Sequence, residues 1–394
     1  MRFSNSPSLS SLWPLLIVTM IIQSGFGSIL PLLPLFVRDH GLPLSWIGLM
    51  AAIYALIAFL GQLMFGPLSD QWGRKLFLIL GTFLSMIGTA LFLLPVRPGY
   101  YLLFRALQGV GAAAFLPAAN ALVADSVDEQ YRGRAYALMS SFFMAGFALG
   151  PMIGGLASAT GSLSTPFWVG TSLDFLALIL SVTRISRYPP SFRFNISAPN
   201  GRSGAIPWHL LMGWLVINFG WMGLGGMYDA TWSIYMQGIG ASRIEISLSW
   251  TLFALPYLLF NFLAGRLADK PTRRPLLIYG GAMLNGVIIM LYIWSHSPWL
   301  SIVLSSVEAV AMSLITPALN ADVMSLATPA SHGRIQGIFQ ASGTLGSFAL
   351  ALLSGYLLPR GASFALGAGA LVLFLSVVIS LMWKRIIALK IQRS

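Results

Sequence analysis

Four ionisable side chains stand inside long apolar stretches: Arg105, Asp174, Asp229 and Glu308. A lone charge at the centre of a bilayer costs about 2.5–3.5 kcal/mol or more, so such groups face a cavity or a partner. A carboxyl group that is neutral in one state and ionised in another can carry a proton. Each residue also has a structural alternative. Glu308 can be permanently protonated or salt-bridged, and Arg105 can snorkel to the outer interface. Asp174 is either a coupling acid turned inward or a structural acid bonded to a neighbouring helix. A second set of groups suits binding: Trp214, Trp221, Tyr228 and Tyr235 recur every seven residues, with Asn218 and Trp232 on the same side. At about 100° per residue, Asp229 lies about 20° around the helix from Asn218. Aromatic rings beside a carboxylate suit flat, amphiphilic or cationic compounds through stacking and cation–π attraction; the same stripe would also serve as a helix–helix seam. Gln23 and Gln108 add polar groups to the candidate substrate cavity. No H-E-x-x-H or G-x-S-x-G occurs, none of the four histidines is placed beside another, and there is no cysteine. Catalytic residues and a metal site are therefore not expected.

The elements that must position these groups follow from composition. The chain has 394 residues, 57% hydrophobic and 9% charged, with a mean hydropathy of +0.79. A soluble domain carries about 25% charged residues, which excludes a water-soluble globular fold. A bilayer core of about 30 Å needs roughly 20 apolar residues per helix. Twelve such stretches are predicted, at 12–37, 45–68, 76–95, 100–124, 136–158, 164–183, 208–237, 245–268, 275–294, 299–323, 335–358 and 362–383. The first is too long for a cleaved signal peptide and lacks a small-residue cleavage site. Lys and Arg are retained on the cytoplasmic side. An N-terminus inside places all of them there except Arg38, Arg97, Arg105, Arg243 and Arg360, which is 18 of 23. Both termini are then cytoplasmic, and the net charge of +12 needs no nucleic acid to explain it.

The predicted organisation is all-α, with six-helix bundles at 1–183 and 208–394 and a cytoplasmic linker at 184–207. The linker is arginine-bearing and contains Pro189, Pro190, Pro199 and Gly201. Its Asn195-Ile-Ser197 sequon is read as a chance match, because it falls on the cytoplasmic side. The halves repeat at an offset of about 200 residues: Gly66 to Lys75 recurs as Gly265 to Arg274, Pro117-Ala-Ala-Asn120 as Pro317-Ala-Leu-Asn320, and Gly133-Arg134 as Gly333-Arg334. Parallel repeats of six spans belong to transporters, with a site near the midplane where the repeats meet.

At these residues the sequence resembles the major facilitator superfamily. Gly66, Leu68, Asp70, Gly73, Arg74 and Lys75 match its loop signature G-x-L-x-D-x-x-G-R-K/R, whereas the second copy, with Asp269 and Arg273, carries Thr272 where glycine is expected. Arg105-Ala-Leu-Gln108-Gly109-Val-Gly111 matches R-x-x-Q-G-x-G. Gly146, Gly150, Pro151, Gly154 and Gly155 match the span-five motif of the twelve-span drug/proton antiporter branch, which includes tetracycline and multidrug efflux pumps. The resemblance implies that Asp70, Arg74, Asp125 and Arg134 form a cytoplasmic gating network, against the alternative of a solvated cluster worth about 0–1 kcal/mol. It implies that spans one, four, seven and ten line the cavity, and it assigns Arg105 to proton transfer. The function expected is proton-coupled antiport exporting hydrophobic or cationic small molecules; export of a sugar, metabolite or lipid is the alternative, and a channel or intramembrane enzyme has little support. No cofactor is expected beyond the proton gradient as energy source. The expected partners are a small-molecule substrate, protons and the lipid bilayer, with the protein a monomer in a prokaryotic plasma membrane.

Overall fold

The computed structural model describes residues 12–127, 131–159, 161–185, 206–327 and 331–391. Most of the 184–207 connection, including the Asn195 sequon, lies outside them, as do Arg2 and Arg393. Among the described residues the fold is entirely helical: α1 Trp13–Ile29, α2 Leu33–Asp39, α3 Leu44–Trp72, α4 Arg74–Ala90, α5 Tyr100–Asp125, α6 Arg132–Ala159, α7 Thr165–Thr183, α8 Trp208–Gly238, α9 Arg243–Ala268, α10 Gly281–Trp294, α11 Pro298–Ser325, α12 His332–Leu357 and α13 Ala362–Ile391.

Twelve spans long and apolar enough to cross a membrane are present, the first made of α1 and α2 together. Their ends fall within a few residues of the predicted ones. The break in the first span has a local cause: Pro31 lacks an N–H and Pro34 opens α2, so the chain turns over Leu30–Leu32 before the helix restarts. Leu63, Leu259, Phe262 and Leu276 each expose more than 60% of their surface. In water such faces favour association; against lipid tails they are matched to the solvent.

Two compact units divide the chain, one formed by Met1–Leu42, Ile53–Arg193 and Ile246–Thr251, the other by Pro43–Ala52, Phe194–Glu245 and Leu252–Ser394. In the first, α1 packs along α6 through a seam of glycines. A Cβ on Gly150 would stand 2.7 Å from the Gly27 Cα, and one on Gly146 or Gly154 would run into the carbonyl of Met20 or Ser28. Only glycine permits this closeness, which is how small residues drive helix association in lipid. The Gly155 carbonyl accepts from Ser158 Oγ at 2.8 Å. Pro151 sits inside a continuous α6 and abuts Gly27. The second unit builds the same device from α8 and α12, where a Cβ on Gly346 would meet the Phe219 carbonyl and one on Gly226 the Ser347 carbonyl. Of the span-five motif, Gly346 and Gly355 recur 200 residues after Gly146 and Gly155, while Leu350, Ala351 and Ser354 stand where Gly150, Pro151 and Gly154 would recur.

Candidate functional site

Glu308 lies on α11 and is 1% exposed. Its two carboxyl oxygens are held separately. Tyr228 of α8 donates to Oε1 at 2.5 Å, and Tyr292 of α10 donates to Oε2 at 2.6 Å. The tyrosines are themselves fixed. The Tyr235 hydroxyl lies 2.8 Å from the Tyr292 carbonyl and 3.0 Å from Ser301 Oγ, and Trp232 packs edge-on against the Tyr292 ring at 4.9 Å. Three helices thus converge on one buried acid whose hydrogen bonds survive either protonation state: the carboxylate accepts from both tyrosines, and the neutral acid can donate to one and accept from the other. Hydrogen bonds to charged groups contribute about 1.5–3 kcal/mol each.

The α8 stripe does not form one continuous surface. Trp214 stacks on Tyr279 at 6.0 Å and is capped by Lys384 Nζ, 3.2 Å from its ring centroid. It therefore clamps α8 to α13. Asn218 is 2% exposed and donates to the Phe339 carbonyl at 2.7 Å and to Ser342 Oγ at 3.0 Å. Its amide is spent in the α8–α12 seam, the alternative role noted from the sequence. Trp221 is buried at 5% exposure. Tyr228 and Trp232 belong to the Glu308 cluster, while Asp229 is half-buried on α8, one residue on from Tyr228.

In the first unit Arg105 is 2% exposed, which removes the snorkelling alternative. Its guanidinium donates to Gln108 Oε1 at 2.9 Å and lies 4.5 Å from the Tyr54 ring centroid and 5.8 Å from that of Phe26. Gln108 in turn donates to Thr89 Oγ1 at 3.0 Å. Gln108 thus bridges α5 to α4. Gln23 sits at the α1–α6 seam, its Cβ beside Gly146. Asp174 is buried and accepts from Ser85 Oγ of α4 at 3.2 Å.

The loop signature forms its network through Arg74, which pairs with Asp70 and with Asp125 Oδ2 at 3.2 Å, and donates to Ser69 Oγ at 2.8 Å. Gly73 takes φ 95°, a left-handed conformation that favours glycine. Lys75 donates to the Val182 carbonyl at 2.7 Å. Arg134 is exposed and makes no ion pair among the described residues, so the expected extension of the network to it is absent there. The second copy differs by one position. Pro271 opens a right-handed 3-10 turn, Pro271–Arg273, where Thr272 replaces the glycine. Arg274 rather than Arg273 then reaches the ladder, donating to the Ala268 carbonyl at 2.7 Å and pairing with Asp322 at 3.3 Å. Asp269 and Arg273 form no ion pair among the described residues. Arg274→Ala is expected to destabilise the protein by about 1–3 kcal/mol, and Arg273→Ala to leave it within about 0.5 kcal/mol. Thermal unfolding in detergent checks the pair.

Tyr292, Ser85, Asp322 and Lys384 have no spacing signal tying them to their partners, so the sequence alone did not single them out; Arg274 lies in the repeated loop motif, but the repeat pointed to Arg273 as the pairing arginine.

Twelve apolar spans and two glycine-seamed bundles define a polytopic membrane protein. The chain belongs to the Major Facilitator Superfamily: the family model matches residues 15–230 and again 210–392. Quinolone resistance protein NorA of Staphylococcus aureus is 32% identical over 165 residues, an alignment spanning 42% of either chain. The match thus covers less than half the length of that relative. An MFS-type transporter of Methanocaldococcus jannaschii is 25% identical over 358 residues, 86% of this chain and 89% of the relative. Among solved structures, a bacterial homologue of the human lysosomal transporter Spinster aligns with a TM-score of 0.78 and 17% identity, covering 97% of this chain and 98% of the other. The nucleoside transporter NupG aligns at 0.76 with 12% identity, covering 95% and 99%. These structures share the fold; the protein is a multi-pass membrane protein of this superfamily.

Proposed function

We propose that the protein is a proton-coupled antiporter that exports hydrophobic or cationic small molecules by alternating access. The observation that carries this is Glu308, a buried acid held on both oxygens by tyrosines from α8 and α10. One of those tyrosines sits on the helix that also carries Trp221, Asp229 and Trp232. Protonation of Glu308 changes the hydrogen bonding of Tyr228, so proton and substrate act on the same helix. Arg105 and Asp229 are the further candidates for proton handling. The Asp70–Arg74–Asp125 network supports a role in closing the cytoplasmic side, with both termini on that side of a prokaryotic plasma membrane. The partial similarity to a quinolone resistance protein favours drug-like substrates. A sugar site would need several free amides, and Asn218 and Gln108 are engaged within their own bundles.

The test is uptake into proteoliposomes with an imposed pH gradient, using ethidium as a dye-like cation, a neutral drug and a sugar. The expected result is saturable ethidium movement that follows the gradient and is absent for the sugar. Sugar movement without ethidium movement, or flux indifferent to the gradient, would contradict the reading.

A further inference from the structure

We propose that Asp174 is a second proton-carrying carboxyl group, housed within the first unit and loaded separately from Glu308. The proposal deepens the antiport reading and rests on it for its link to transport. Asp174 is 1% exposed and points into the contact of α7 with α1 and α4. A Cβ on Gly25 of α1 would stand 2.9 Å from its Oδ1, and one on Gly170 would stand 3.1 Å from the Gly25 carbonyl. Glycines on both helices therefore make the space the carboxyl occupies. Ser85 Oγ donates to Oδ2 at 3.2 Å, the one hydrogen bond to this carboxyl among the described residues. Oδ1 has no hydrogen-bond partner among the described residues, and neither does Thr171 Oγ1, one turn earlier on α7.

An ionised carboxylate there needs a counter-charge, because a buried unpaired ion is far costlier than a buried neutral group. The helices packed against α7 are α1, α4 and α6, with the short turn Leu91–Leu93. Neither α1 nor that turn carries a titratable residue. On α4 the only ones are Arg74 and Lys75, in its first turn. Lys75 is bound to the carbonyl of Val182, eight residues beyond Asp174 and so about 12 Å along α7. The titratable groups of α6, Arg132, Arg134 and Tyr136, lie in its first turns, and α7 has no other. Arg105 approaches through Gln108 and Thr89, and Thr89 lies one turn of α4 from Ser85. None of these groups pairs with Asp174 among the described residues. The packing therefore holds the neutral acid. Releasing its proton requires water or Arg105 to reach the carboxylate, so deprotonation and loosening of the α1–α4–α7 contact are one event. A carboxyl that alternates in this way adds a proton to the transport cycle.

Two measurements on the full-length purified protein test this. Infrared difference spectra at neutral pH are expected to show the carbonyl stretch of a protonated carboxylic acid that disappears in Asp174→Asn, persists in Glu308→Gln, and moves in frequency in Ser85→Ala, where the hydrogen-bond partner is lost. In proteoliposomes, the proton-to-ethidium ratio from reversal potentials is expected to fall by one in Asp174→Asn while gradient-driven uptake continues. A spectrum unchanged by Asp174→Asn, or an unchanged ratio, overturns the proposal. The infrared result does not depend on transport, so failure of the antiport reading alone leaves the band in place and is distinguished from failure of this one. Ser85→Ala, which leaves the acid itself in place, keeps the spectroscopic test decisive if Asp174→Asn does not fold.

Discussion

Glu308→Gln is expected to reduce ethidium uptake driven by a pH gradient to the level of empty liposomes, while ethidium exchange at equal pH continues. Glutamine matches the shape of glutamate and keeps a carbonyl oxygen that accepts from one tyrosine, so Tyr228 or Tyr292 retains a partner. What it lacks is an exchangeable acidic proton. Both tyrosines report the protonation state of Glu308 directly, through bonds of 2.5 and 2.6 Å, and Tyr228 passes it to α8. Asp174 cannot substitute, since it bonds to α4 and belongs to the other unit. Insertion and folding are followed by size-exclusion profile and thermal unfolding. Uptake that keeps its full dependence on the gradient in the variant would remove Glu308 from the mechanism.

Gly154→Val is expected to be the most damaging of the glycine substitutions. Its Cβ would overlap the carbonyl of Ser28, a backbone atom that cannot swing aside. Overpacking costs about 1–3 kcal/mol where neighbours can adjust, so the effect here should lie at or beyond the upper end. The same change at Gly337 is the control, since nothing lies within 4 Å of its Cβ position. Thermal midpoints in detergent should separate the two. Equal midpoints would mean that α1 and α6 are not packed as described.

The spans were legible because each one needs about 20 apolar residues whatever it packs against, and the glycine motif was legible because close helix approach tolerates few other residues. The first loop network was legible for a similar reason: Asp70 and Arg74 are one helical turn apart, and Gly73 supplies the turn. The second was misplaced by one residue, because the repeat aligned Arg273 with Arg74, while Pro271 and Thr272 wind the loop right-handed and advance Arg274 instead. On α8, periodicity put Trp214, Asn218 and Trp232 on one side, but it carried no record of which neighbour meets each. Lys384, Phe339 and Tyr292 come from helices far away in sequence, and only tertiary packing decides that the stripe divides into a clamp, a seam and the hydrogen-bonded cluster around Glu308. The partners of Asp174 were hidden in the same way, since a serine in an apolar helix looks like any other.

The account stands on proton and substrate competing through Glu308. Ethidium affinity measured across the neutral pH range, for the wild type and Glu308→Gln, tests this most directly. The predicted result is an affinity that weakens as protons are added to the wild type, and a profile in the variant whose linkage slope is smaller by one bound proton. The same slope in both proteins would contradict it.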